Sequence, residues 1–145
     1  MKTKGKVYVY ITQGTKLLVM EHPFSPEAGL QVPGGTIEPD EAPEHAAIRE
    51  AEEETGLSGF KLIRLLGEQV RDMRDYKKNE WQHRYFFHLI YDQPTPDQWR
   101  HFEPDPSESD GKEKDITLDF YWVDLNEQIP ELIAEMDFLL KDLKL

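Results

Sequence analysis

Residues 35–57 read GTIEPDEAPEHAAIREAEEETGL, and the acidic residues in this stretch decide how the rest of the chain is read. Asp40 is placed to cap a helix, and Pro43 falls in the first turn, where a missing N–H costs little. The spacing predicts a helix from about Glu41 to Thr55, with Gly56 as the left-handed residue that stops it. On such a helix Glu50, Glu53 and Glu54 stand at i, i+3 and i+4, within an arc of about 100°. Ile48, Ala51 and Thr55 occupy a separate arc suited to packing on a sheet, and Glu52 projects away from the acidic triplet.

Like charges on adjacent turns repel, and a bound cation compensates them. Mg²⁺ is the ion suited to the task, with Mn²⁺ as a substitute, because it takes hard oxygen ligands and keeps substrate phosphates in its shell. Gly34 and Gly35 permit a tight bend before the helix, where backbone can approach a metal or phosphate. Arg49 lies four residues before Glu53 and is placed to hold its carboxylate. A solvated acidic helix face is the commoner reason for a Glu cluster. Here the flanking glycines and Arg49 favour a site.

The same stretch resembles the Nudix box, G-x5-E-x7-R-E-U-x-E-E-x-G-U, in which U is a bulky aliphatic residue. Gly35, Glu41, Arg49, Glu50, Glu53, Glu54, Gly56 and Leu57 fall on its positions, and Ala51 is a smaller residue than usual at the first U. The resemblance implies an α/β fold, a Nudix-type α/β/α sandwich with a mixed β-sheet between helices. It implies metal-dependent hydrolysis of a diphosphate linkage in a nucleoside diphosphate-X, by water attack at phosphorus. By motif position the catalytic residues are Glu50, Glu53 and Arg49, with Arg49 and Glu41 as supports and one of Glu50 or Glu53 activating the water. Metal ligands are Glu50, Glu53, Glu54 and the Gly34 carbonyl. A further acidic ligand from outside the box is expected among Glu103, Glu108 and Glu113.

Around this segment the chain alternates strand and turn signals. Lys6–Ile11 and Lys16–Glu21 read as a hairpin, Phe60–Val70 as one or two strands, and Trp81–Asp92 as the strongest strand. Residues 93–119 are polar with four prolines and are expected to form a long irregular loop. Strand signal returns at Thr117–Val123. Ile129, Leu132, Ile133, Met136, Leu139, Leu140 and Leu143 recur at helical spacing and predict a C-terminal amphipathic helix.

The 145 residues are expected to form one domain, residues 1–145. With no cysteine, disulfides and thiolate metal sites are excluded. The formal net charge of −12 argues against a nucleic-acid polymer as partner. No apolar run approaches the ~20 residues of a membrane span, so a cytoplasmic protein, monomer or homodimer, is expected. Charge is uneven: residues 38–54 hold eight Asp/Glu against one Arg, and residues 64–84 hold six Lys/Arg against four Asp/Glu. Two such segments are suited to gripping a metal–phosphate complex from opposite sides.

The partner expected is a small nucleotide-like diphosphate. Arg71, Arg74, Lys77 and Lys78 are candidates for phosphate contact. Trp81, His83, Tyr85 and Phe87 share one face of their strand, Arg84, Phe86 and His88 the other, and base stacking by Tyr85 or Phe87 is a weaker candidate. Trp99 and His101 are candidates for closing over the substrate or for anchoring their loop. Rival readings are a dinucleoside polyphosphate hydrolase and a catalytically silent nucleotide sensor.

Overall fold

The computed structural model describes residues 1–103 and 116–145. Among these residues seven strands build one sheet: β1 (Lys2–Gln13), β2 (Lys16–Glu21), β3 (Gly34–Thr36), β4 (Lys61–Asp72), β5 (Glu80–Ile90), β6 (Gln98–Glu103) and β7 (Ile116–Asp124). Their order is β4-β5-β1-β2-β7-β6, with β3 paired to β1 off this path. β1 and β5 run parallel over eleven residue pairs, from Lys2↔Glu80 to Thr12↔Ile90, and the other pairings are antiparallel, so the sheet is mixed.

The β1–β2 hairpin is joined only at its turn, by Thr12↔Leu17 and Gln13↔Lys16. Further back, β1 pairs with β3 through Lys6, Val7 and Tyr8. The chain between them is held by the Met20↔Gln31 bridge and by a bond from the Val9 amide to the Pro33 carbonyl. This parting of β1 from β2 brings Gly34 and Gly35 to the sheet's surface beside helix α1 (Pro43–Thr55).

Both sheet faces are covered, so β5 buries neighbouring residues that point to opposite faces, Phe86 to one and Phe87 to the other. On one face Ala46, Ala47 and Ala51 of α1 pack with Val7, Val9, Ile11, Phe87 and Leu89. Ala51 is fully buried there, and its small side chain suits the close approach of helix to sheet. On the other face Tyr8, Tyr10, Leu17, Val19 and Phe86 pack with Leu132 and Met136.

That second layer corrects an expectation. The C-terminal segment buries its apolar residues as its periodicity requires, yet it forms 3₁₀ turns at Ile133–Glu135 and Leu140–Asp142 rather than an α-helix. Ala134 and Glu135 stand at φ 53° and 58°, which breaks a right-handed helix. Long-range bonds to the backbone take over: Arg84 donates to the Ala134 carbonyl at 2.6 Å, Tyr10 to that of Met136 at 2.6 Å, and the Ala134 amide donates to the Tyr76 hydroxyl at 3.1 Å. The helical layer of the expected sandwich is therefore α1 alone among the described residues.

Two smaller corrections concern α1 and the loop. The helix begins at Pro43 behind Ala42, and Asp40 sits at φ 62° without capping it. Instead a Glu41 oxygen accepts from the Glu38 amide at 3.0 Å, tying down the entry loop. Residues 98–103, expected as loop, are strand β6. No helix among the described residues is long and apolar enough to cross a membrane.

Candidate active site

Helix α1 ends as predicted, at Gly56 with φ 75° and an amide bond back to the Glu52 carbonyl. Its acidic residues divide by burial. Glu52 is exposed, Glu53 has 48% of its side chain exposed, and Glu50 and Glu54 are 3% and 8% exposed. Glu50 and Glu54 therefore face the protein, while Glu53 stands at the rim.

Arg49 organises this group. Its guanidinium donates to both oxygens of Glu41 at 2.7 and 2.8 Å, a bidentate pairing. It also donates to the Thr36 carbonyl at 3.0 Å, to Glu50 at 2.9 Å and to Glu53 at 3.3 Å. The expected Arg49–Glu53 contact is thus the longest of these five hydrogen bonds, and the principal partner is Glu41. These bonds hold the Glu41 carboxyl down at about 2.

Burial pushes the Glu50 carboxyl up to about 7, and nearby Glu53 and Glu103 push the same way against Arg49. Burial also raises Glu54 well above the ordinary range, opposed by a 2.6 Å bond from the Gly34 amide to its Oε1. Gly35 lies so close that a Cβ there would overlap the Glu50 carboxyl group. The glycine pair thus serves as close-approach backbone: one amide grips Glu54, and the other residue makes room for Glu50.

One carboxylate oxygen from each of Glu50, Glu53 and Glu103 lies within 4.8 Å of the others. Of the three acidic candidates outside the box, Glu103 is brought to the helix, and Glu108 and Glu113 lie outside the described residues. Glu54 is turned into the protein beside Gly34 and does not share that group.

Glu50, Glu54 and Glu103 line a cleft of about 400 Å³ together with Gly34 and Gly35. Lys6, Lys78 and Arg84 bring positive charge to it, and Tyr8, Met20, Met73, Tyr76 and Met136 give it apolar surface. Burial, with Lys78 and Lys4 nearby, brings the Lys6 ammonium down to about 7.

The basic candidates read from sequence separate here. Lys78 lines the cleft, whereas Arg71 pairs with Asp75 and Glu135, Arg74 with Asp72, and Lys77 ends a 3₁₀ turn. Tyr85 stacks on His83 and Phe87 is buried in the core, and neither of these two candidates for base stacking lines this cleft. The opposite face of β5 supplies Gln82 and Arg84 instead. Lys6, Tyr8 and Gln82 were not singled out from sequence. Only the β1–β5 register, a non-local feature, brings them together.

Comparison with known proteins agrees with this architecture. The chain is similar to a Bacillus subtilis (strain 168) protein, YtkD, named provisionally as an 8-oxo-dGTP diphosphatase, with 42% identity over 62 residues, 43% of this chain and 37% of that one. It is similar to diphosphoinositol polyphosphate phosphohydrolase 3-alpha of Mus musculus, with 56% identity over 45 residues, 30% of this chain and 27% of that one. The chain thus spans well under half the length of these curated relatives. Its fold is similar to the crystal structure of a MutT NUDIX hydrolase from Burkholderia pseudomallei, with TM-score 0.63 at 22% identity, over 99% of this chain and 100% of that one. The model of the NUDIX domain matches residues 2–141, nearly the whole chain, and the protein belongs to the NUDIX family.

Proposed function

We propose that this protein is a divalent-metal-dependent pyrophosphohydrolase that splits a diphosphate linkage in a nucleotide-like substrate by water attack at phosphorus. One observation carries the reading: the oxygens of Glu50, Glu53 and Glu103 converge within 4.8 Å, and Glu50 and Glu103 line a cleft that also presents Lys6 and Lys78. Names of the relatives support it too, since both describe cleavage at a phosphate chain, and they differ in what that chain is attached to.

The donors suit Mg²⁺. They are carboxylate oxygens, hard ligands without a nitrogen or sulfur among them, and their mutual repulsion is opposed only in part by Arg49. Glu50, Glu53 and Glu103 would hold the ion, Glu54, which lines the same cleft, and the Gly34 carbonyl would be further donors, and Mn²⁺ would substitute. Bound there, it would neutralise phosphate charge and lower the pKa of a coordinated water.

The chain's own residues do the rest. Arg49 ties Glu50 and Glu53 to Glu41 and the Thr36 carbonyl, so that the reacting groups are positioned before substrate arrives. Glu50 or Glu53 orients the attacking water and takes its proton. Lys6 and Lys78 face the phosphate oxygens across the cleft, where positioning and charge stabilisation are the main requirements of phosphoryl transfer. Tyr8, Tyr76 and the methionines offer apolar surface to the group beyond the phosphates.

The test is a panel of nucleoside diphosphate derivatives and dinucleoside polyphosphates, incubated with Mg²⁺ or Mn²⁺ and analysed by mass. Cleavage between two phosphorus atoms, dependent on metal, is the expected outcome. No turnover of any compound, with nucleotide binding retained, would replace this reading with a silent sensor.

A further inference from the structure

The last carbonyls of an α-helix lack intrahelical partners. Near the end of α1 four carbonyls each accept from a different group. The Ala51 carbonyl accepts from the Thr55 hydroxyl at 2.6 Å, and that of Glu52 from the Gly56 amide at 3.0 Å. Two are met from strand β6: Trp99 Nε1 donates to the Thr55 carbonyl at 3.0 Å, and His101 Nε2 donates to that of Glu53 at 3.1 Å. A carbonyl only accepts, so His101 carries a proton on Nε2.

Trp99, His101 and Glu103 alternate along β6 and therefore share one face of the strand. Trp99 is fixed from behind by stacking on Phe120, with centroids 5.2 Å apart and planes 14° from parallel. Arg100, on the other face, pairs with Asp119 of β7. His101 fits so closely over the helix end that a Cβ on Gly56 would fall 2.7 Å from its Nδ1. Gly56 is thus required by its positive φ and also by the ring above it.

We propose that Trp99 and His101 are positioning residues: by bonding to the end of α1 they set the register in which Glu103 meets Glu50 and Glu53. This rests on the metal-site reading above. Glu103 comes from strand β6, far from the box in sequence. His101 is two residues from Glu103 and bonds to the backbone of Glu53, so it couples two of the three converging carboxylates. The hydrogen bond does so through geometry, whatever the charge on the ring.

Mn²⁺ binding to the substrate-free protein, followed by titration calorimetry, tests this. Wild type is compared with Glu53→Gln, Glu103→Gln, Trp99→Phe, His101→Ala and His101→Gln, the last of which keeps an N–H donor, and circular dichroism verifies that each is folded. Glu103→Gln, which removes a charged ligand, and His101→Ala, which removes a positioning partner, are each expected to weaken Mn²⁺ binding by about tenfold or more. His101→Gln is expected to restore it to within about threefold of wild type, and Trp99→Phe to weaken it. Wild-type affinity in His101→Ala or Glu103→Gln would overturn the proposal, as would equal loss in His101→Ala and His101→Gln. Those results leave the box site standing if Glu53→Gln still loses binding, whereas no Mn²⁺ binding by wild type would remove both.

Discussion

The carboxyl group of Glu50 occupies the space in which a Cβ on Gly35 would stand. Loop and helix therefore constrain each other: the buried acid sits at its position because residue 35 has no side chain.

Gly35→Ala should displace Glu50 and leave the helix itself intact. Misplacing a reacting group by about 1 Å costs on the order of 10²-fold in rate, and a loss of that size in kcat is expected. Steady-state kinetics with circular dichroism as a control measures it. Activity within twofold of wild type would mean that Glu50 can move without consequence.

The Arg49–Glu41 pair should make stability depend on pH. Glu41 titrates at about 2 in the folded protein against its ordinary 4.5. A carboxyl held below its ordinary value adds stability above that value and loses it as pH falls toward 2. Glu41→Gln should cost about 1–3 kcal/mol at pH 7, with the gap to wild type narrowing at pH 3. Urea unfolding of both proteins at the two pH values measures this, and a gap unchanged between them would contradict it.

Leu132 is 2% exposed and packs in the cluster beneath the C-terminal segment. Leu132→Ala should destabilise by about 2–5 kcal/mol through lost contact and a residual cavity. That corresponds to a fall in Tm of roughly 5–15 °C for a chain of this size. A fall below 2 °C would show that this segment does not close the second core.

What was legible in the sequence was local. Helix α1, its end at Gly56 and the separation of Glu52 from its neighbours follow from spacing within 23 residues. The C-terminal segment shows where periodicity misleads. Its apolar residues are buried as predicted, but bonds from Arg84, Tyr10 and Tyr76 to its backbone replace the helical ones. Strand β6 escaped notice because its six residues lie between prolines, although Trp99 and His101 alternate with Arg100 and Phe102 as a strand requires. The cleft was not legible either, because Lys6, Gln82 and Arg84 meet only through the pairing of β1 with β5.

Glu53 and Glu54 offer the most direct check on the central claim, since one stands at the rim and the other is buried against Gly34. The measurement is the rate of diphosphate cleavage, on the best compound of the panel, across a Mg²⁺ titration for wild type, Glu53→Gln and Glu54→Gln. Chelation should abolish wild-type turnover and added Mg²⁺ restore it, with each variant slower by about 10²-fold or more at saturating Mg²⁺. Turnover that survives chelation, or full activity in both variants, would contradict a metal site built on this helix.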